Sequence, residues 1–318
     1  MDYREFLNKV KNNILDYMPE EYANAEIRVD GTMKNNGVLR QGICIVKEDT
    51  MVSPKIYLEE FYKSYEAGMS MEDVCSRIAN EYMEHAVDGK DFDISIVTDF
   101  EKAKESITTK VVSAKNNKTL MRERPSMKLD DLAVFYQIQL SDMADTKASI
   151  PITNQMLANW GVSVNELHQI AVENTERINP AKLVAMESML FGMEENLFVN
   201  VDKYQQCAML VLTNTDQIGG ANVIANKETL SKVCDVINDS YYILPSSVHE
   251  ILVVPKGVAQ EMGMTPKELG AMVRDVNAQE VDKEERLSDH IYEFDKDKKV
   301  LETVRIPKKK KRILKDRW

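Results

Sequence analysis

The sequence predicts an α+β fold, with antiparallel or mixed sheets, interleaved helices and an N-terminal helical and hairpin region. Short apolar runs with the two-residue period of strands occur in pairs, and single amphipathic helices separate them. The regular alternation of strand and helix that is typical of a parallel doubly wound sheet does not occur. No apolar run approaches the ~18 residues that a membrane helix needs, so the chain is predicted to be soluble.

The N-terminal region begins with a helix and continues as a hairpin. Apolar residues at helical spacing predict a helix over residues 2–18, which Pro19 ends. Alternating residues from 25 to 29 and a returning run from 38 to 46 predict two strands. Asn36-Gly37 between them favours a turn with positive φ.

Helix and strand signals then follow one another up to Gly161. A helix is predicted from Pro54 to Gly68, and Ser70 caps the next one. The other predicted elements are a helical stretch over 99–106, strands over 107–112, 132–140 and 148–152, and a helix over 153–160.

A longer helix is predicted after Ser163, and it carries an asparagine in its interior. Asn174 is mildly unfavourable within a helix. We expect its side chain to bond to a neighbouring loop and fix the packing there, while a role in a cleft is the alternative.

The C-terminal half repeats these signals. The residues 208–213 predict a buried strand, and Gly219-Gly220 predicts a hairpin turn to a second strand over 221–225. The remaining predicted elements are a helix capped by Asn226, strands on either side of residues 245–250, a helix from Thr265-Pro266 through Val276, and strands over 291–294 and 300–306.

Domain organisation and charge divide the chain into three parts. We predict an N-terminal α+β region over 1–120, a C-terminal α+β region over 121–304 and a disordered basic tail over 305–318. The tail carries eight Lys or Arg and one acid, which gives it a charge of +7. Because the net charge of the chain is −11, the preceding residues carry −18. An acidic body repels nucleic-acid phosphates.

The tail is the one candidate for contact with nucleic acid or another anionic surface. The alternative is a solvated tail that pairs with the acidic body. The residues that would make the contact are Lys308, Lys309, Lys310, Lys311 and Arg312.

Cysteine spacing and glycine patterns predict no cofactor. The four cysteines form no CxxC pair, which disfavours a zinc ribbon, and we interpret them as buried thiols of a reducing compartment. Neither GxxxxGK[ST] nor GxGxxG occurs. The charged N-terminus lacks a signal-peptide core, so a cytoplasmic location is expected.

The densest reactive chemistry lies between the apolar runs at 241–244 and 251–255. The candidate catalytic residues there are Ser246, Ser247, His249 and Glu250, with Asp289 and His290 from a second segment. Together they hold the groups of a hydrolytic Ser–His–Asp set or of a metal site. The chain lacks a GxSxG elbow. The alternative is a turn whose hydroxyls bond to nearby backbone.

Four stretches carry a resemblance to a known family. They are SPKIYLEEFYKSYEAGMSMEDV, PITNQMLANWGVSVNELHQIAVENT, YYILPSSVHEILVVP and EERLSDHIYEFD. In order and spacing the chain resembles the bacterial family called domain of unknown function 5688, over about residues 2–300. That family occurs in gut Firmicutes as a stand-alone cytoplasmic protein. The resemblance implies one continuous family unit and carries over no activity, cofactor or catalytic residue.

Three functions follow as hypotheses. The first is a cytoplasmic accessory protein that binds a protein partner and catalyses nothing. The second is a hydrolase that uses Ser246 to Glu250 with Asp289 or His290. The third is association with nucleic acid through the basic tail. None of them involves a membrane.

Overall fold

A computed structural model describes residues 1–48, 53–86, 93–140, 148–193 and 195–305. The α-helices are α1 (Tyr3–Asn13), α2 (Glu59–Glu66), α3 (Met71–His85), α4 (Ser95–Thr98), α5 (Phe100–Ala103), α6 (Leu120–Glu123), α7 (Asn154–Trp160), α8 (Val164–Ile178), α9 (Met186–Leu190), α10 (Lys227–Ile237), α11 (Lys256–Glu261) and α12 (Pro266–Gln279). The strands are β1 (Glu26–Met33), β2 (Leu39–Val46), β3 (Ile56–Tyr57), β4 (Ile107–Ser113), β5 (Met127–Leu129), β6 (Leu132–Gln139), β7 (Ser149–Pro151), β8 (Ala181–Ala185), β9 (Leu210–Asn214), β10 (Tyr241–Leu244), β11 (Ile251–Pro255), β12 (Tyr292–Asp295) and β13 (Val300–Thr303).

Across the described residues these strands form three sheets. Their orders are β1-β2-β3, then β4-β6-β5 with β7 beside β6, and then β13-β12-β10-β11-β9-β8. In the six-stranded sheet every neighbouring pair is antiparallel. The predicted α+β class with antiparallel sheets is confirmed.

The chain divides into two compact units, each built from several segments. Unit 1 comprises residues 1–108, 116–126 and 135–174, and unit 2 comprises 109–115, 127–134 and the described residues from Thr175 onward. Strands β4 and β6 contribute residues to both units. The predicted boundary near residue 120 stays a prediction.

The core of unit 1 lies between α1, α3 and the first sheet. Asp2 caps helix α1, and its carboxylate and the Glu5 side chain form a capping box. Its apolar face is fully buried at Phe6 and Val10. In the hairpin, Asn36 has φ 57° and Gly37 has φ 69°, so the predicted turn with positive φ is confirmed.

The predicted role of Asn174 in packing is confirmed. Its side-chain amide lies buried in α8 and donates to the carbonyl oxygens of Lys104 at 2.7 Å and Ile107 at 3.1 Å. The first carbonyl lies in the short turn before β4, and the second belongs to the first residue of β4. The asparagine therefore ties α8 to the start of β4.

The core of unit 2 lies between the six-stranded sheet and α12. Helix α12 begins with a capping box between Thr265 and Glu268, with Pro266 in its first turn. Its face buries Leu269 and Val273 against Leu244 and Val254 of the central strands.

Two sequence predictions of secondary structure are wrong. The residues 221–225 lie in a 3-10 helix, Gly220–Ala225, and not in a strand. Strand β9 already pairs with β8 on one side and β11 on the other, so it has no free edge for a hairpin partner. The helix predicted from Pro54 begins only at Glu59, because Ile56 and Tyr57 pair with β2.

Candidate functional site

The segment from Ser246 to Glu250 connects the two central strands of the six-stranded sheet in unit 2. Strands β10 and β11 pair with Tyr241 opposite Pro255. The segment between them runs beside residues 285–288. Val248 N donates to the Glu285 carbonyl at 2.9 Å, and Leu287 N donates to the Ser246 carbonyl at 3.1 Å. Backbone pairing therefore places the first predicted segment directly beside the residues that precede Asp289.

The His249 side chain is held in one orientation by two hydrogen bonds. The backbone N–H of Gly219 donates to Nδ1 at 3.3 Å, and Nε2 lies 3.3 Å from a Glu285 carboxylate oxygen. Both ring nitrogens therefore have a hydrogen-bond partner. The Ser247 hydroxyl accepts from the His249 backbone N–H at 3.0 Å.

The second predicted pair of residues faces different partners. The Asp289 carboxylate accepts from the side-chain amide of Asn277, in α12, at 2.8 Å. The His290 ring Nδ1 lies 2.8 Å from Asp131 Oδ2. Asp131 lies in the turn between β5 and β6, about 160 positions earlier in the chain, and sequence reasoning did not find it.

Asp131 is the centre of a polar network in unit 2. Besides His290 it accepts from the Ser288 hydroxyl, at 2.8 Å, and from the Tyr292 hydroxyl. Burial alone would raise the pKa of the Asp131 carboxyl, but these hydrogen bonds outweigh it and hold the pKa below its usual value. Burial and the neighbouring carboxylate raise the pKa of Tyr292.

The candidate side chains thus belong to two polar networks. One contains Ser247, His249 and Glu285, and the other contains Asp131, Ser288, His290 and Tyr292. Between residues that the structure describes, no hydrogen bond joins either imidazole to the hydroxyl of Ser246 or Ser247. The hydrolytic assembly stays a prediction. In the same part of the chain, no group of three or more His, Cys, Asp or Glu could hold a metal ion.

An apolar cavity of about 420 Å³ opens next to Ser246, Ser247 and Glu250. The polar residues that line it are Ser246, Ser247 and Glu250. Burial raises the pKa of the Glu250 carboxyl. The other lining residues are Met186, Met189, Val211, Leu244, Leu252, Met272, Val273, Val276 and Val281. The volume falls within the range of roughly 300–1,000 Å³ that is typical of small-molecule sites.

A group of exposed apolar side chains begins at the last residue of α9, the helix that contributes Met186 and Met189 to the cavity. We call it the α9 apolar segment. Its members, with their exposed fractions, are Leu190 (79%), Phe191 (75%), Met193 (65%), Val199 (77%) and Val201 (48%). Sequence reasoning missed this segment, because an apolar residue in the sequence does not show whether the fold covers it.

The remaining predicted contacts lie elsewhere. The basic residues Lys308 to Arg312 lie outside the described part of the chain. All four cysteines are free thiols, with Cys75 and Cys234 buried. No helix in the described ranges has both the length and the apolar character that crossing a bilayer requires.

The fold and these features define an α+β protein with antiparallel sheets. A model of the family of unknown function DUF5688 matches residues 3–296. The chain therefore belongs to this family. Comparison with curated proteins and with solved structures gave no match.

Proposed function

We propose that this protein is a non-catalytic accessory protein of the bacterial cytoplasm that binds a protein partner through the α9 apolar segment. The observation that carries the proposal is the exposure of five large apolar side chains within twelve positions. Singly exposed apolar residues are normal on a protein surface. A concentration of them marks an interaction site.

The composition of the segment supports a protein partner. Phenylalanine and methionine are enriched in protein interfaces, where they fill pockets of the partner. Burying one such side chain contributes roughly 1.5–3 kcal/mol. Charged residues accompany the segment, including the ion pair between Lys203 and Glu195. An apolar centre with polar residues at its rim is the usual arrangement of an interface.

The polar networks also favour binding over catalysis. The His249 ring bonds through both nitrogens, and the Ser247 hydroxyl accepts from the backbone. These groups stabilise the junction between residues 245–249 and residues 285–288. A histidine base acts on a nucleophile that lies within hydrogen-bond reach, and among the described residues neither His249 nor His290 has a side-chain bond to a serine hydroxyl of the segment.

Affinity purification from cells that naturally express the protein tests the proposal. The full chain is compared with the double variant L190S/F191S and with a matched control, I218S, which replaces another exposed apolar residue of unit 2. We expect the same partner to be recovered with the wild type and I218S and to be lost with L190S/F191S. Equal recovery with all three proteins would contradict the proposal.

Hydrolysis is the alternative that one observation favours. The Asp131 carboxylate orients His290 through Nδ1, as the carboxylate of a catalytic triad orients its histidine. The His290 side chain is 59% exposed, so its other nitrogen can meet solvent or a substrate. Turnover of ester substrates that is abolished in H290A and retained in H85A would establish this activity and overturn the non-catalytic proposal.

Association with nucleic acid through Lys308 to Arg312 is the third hypothesis. If the tail binds phosphates, affinity falls steeply with salt concentration and disappears when residues 305–318 are deleted. Binding that survives the deletion would exclude the tail as the contact.

A further inference from the structure

The walls of the cavity in unit 2 come from one sheet and two helices. Strands β10 and β11 supply Leu244 and Leu252, while α12 supplies Met272 and Val276. Met272 is 41% exposed and Val276 is 37% exposed, so the cavity opens to solvent along α12. Methionine side chains adapt their shape to a ligand more readily than branched ones do.

Glu250 is the feature that sets the chemistry of this cavity. Of the described residues that line it, Glu250 alone bears an ionisable carboxyl, and none is a Lys or Arg. The charges that act on it come from His249, which favours the carboxylate, and from Glu285, which disfavours it. The Ser247 side chain also acts on it and favours the charged form. The charge of a carboxylate beside apolar walls is incompletely compensated where no Lys or Arg lines the cavity.

We infer that the cavity binds a small apolar amine, with its hydrocarbon part against the methionine and valine side chains and its ammonium group on the Glu250 carboxylate. The ammonium donates a charge-assisted hydrogen bond to the carboxylate, which is about twice as strong as a neutral one. The hydroxyls of Ser246 and Ser247 accept the remaining ammonium protons.

The dimensions favour a small molecule over a protein segment. A volume of about 420 Å³ lies towards the lower end of the range for small-molecule sites. A stable protein interface buries roughly 1,200 Å² or more, which the cavity by itself does not offer. The binding site for an amine is therefore distinct in its chemistry from the exposed α9 apolar segment.

Three probes of matched shape test the inference on the full chain by isothermal titration calorimetry. They are 2-phenylethylamine, 2-phenylethanol and 3-phenylpropionate, which differ in charge at one end. We expect the amine to bind about tenfold more tightly than the alcohol, as a hydrogen bond to a charged group implies. The carboxylate is expected to bind most weakly, because it meets Glu250 with like charge.

Two variants locate the interaction. In E250Q the amine should lose its tenfold advantage, while the affinity for the alcohol stays unchanged. In M272W the new ring fills the mouth of the cavity, so the affinity for both probes should fall at least about tenfold. The control M262W places the same ring at an exposed methionine that does not line the cavity, and it should bind as the wild type does.

Circular dichroism establishes that each variant is folded before it is titrated. Equal affinity for amine and alcohol, an unchanged amine affinity in E250Q, or the absence of binding by all three probes would each overturn the inference. The test does not involve Leu190 or Phe191. A negative result would therefore not contradict the proposed binding of a protein partner. In the same way, a result that contradicts the protein partner would not contradict the amine site.

Discussion

At the scale of single residues, Asp131 is the centre of one polar network of unit 2. It accepts from Ser288, His290 and Tyr292, and two of these donors are almost fully buried. A buried donor without an acceptor costs about 1–3 kcal/mol. Asp131 therefore stabilises the turn between β5 and β6 and the start of β12.

Replacing Asp131 by alanine should destabilise the protein by about 2–4 kcal/mol, because it leaves the Tyr292 and Ser288 hydroxyls without their acceptor. Urea unfolding of D131A, Y292F and the double variant measures the effect. The double variant should lose about 1–2 kcal/mol less than the sum of the single variants. The exposed control D297A should remain within about 0.5 kcal/mol of the wild type. If the loss in the double variant equals the sum of the losses in D131A and Y292F, the two side chains are not coupled and the prediction is wrong.

The same carboxylate predicts a dependence of stability on pH. Its native pKa lies below its usual value, so its ionised form stabilises the fold above the unfolded pKa of about 3.9. This contribution is lost as the pH falls through the native pKa. The difference in unfolding free energy between wild type and D131N should therefore be constant from about pH 5 to 7 and shrink below about pH 4. If this difference in unfolding free energy grows as the pH falls, the ionised form of Asp131 does not stabilise the fold and the prediction is wrong.

At the scale of elements, local signals predicted helices and their ends better than they predicted strand partners. The caps at Ser70, Asn226 and Thr265 bond to backbone N–H groups within three residues, so the sequence alone shows them. The pairing of a strand depends on residues far along the chain. Strand β8 and helix α9 were missed, and the run at 221–225 was assigned to a strand that had no edge to join.

Gly220, the first residue of that 3-10 helix, is closely packed. A Cβ atom at this position would lie 2.0 Å from Thr213 Oγ1 and 2.3 Å from the His249 carbonyl oxygen. We expect G220A to destabilise the protein by about 3 kcal/mol, measured by urea unfolding, because both neighbours are packed. The control G263A has open space around its Cβ but a φ of 67°, so it should cost about 1 kcal/mol. A smaller loss in G220A than in G263A would contradict the close packing.

At the scale of the whole molecule, the sequence indicated the fold class but not how the candidate residues are grouped. Residues near 246 and near 289 were predicted to act together, and their backbones do run side by side. The partner of His290, however, is Asp131, and nothing local distinguishes that carboxylate from 51 other acids. The cavity and the α9 apolar segment could not be predicted from the sequence either, because burial and exposure depend on packing between residues that are far apart in the chain.

The measurement that tests the central claim most directly is photocrosslinking in cells that naturally express the protein. A photoreactive phenylalanine analogue replaces Phe191 in one protein and Ile218 in a control protein. We predict a covalent adduct with one other protein from position 191 and none from position 218. No adduct from position 191, equal adducts from both positions, or an adduct only with a second copy of this chain would contradict the proposed binding of a separate protein partner.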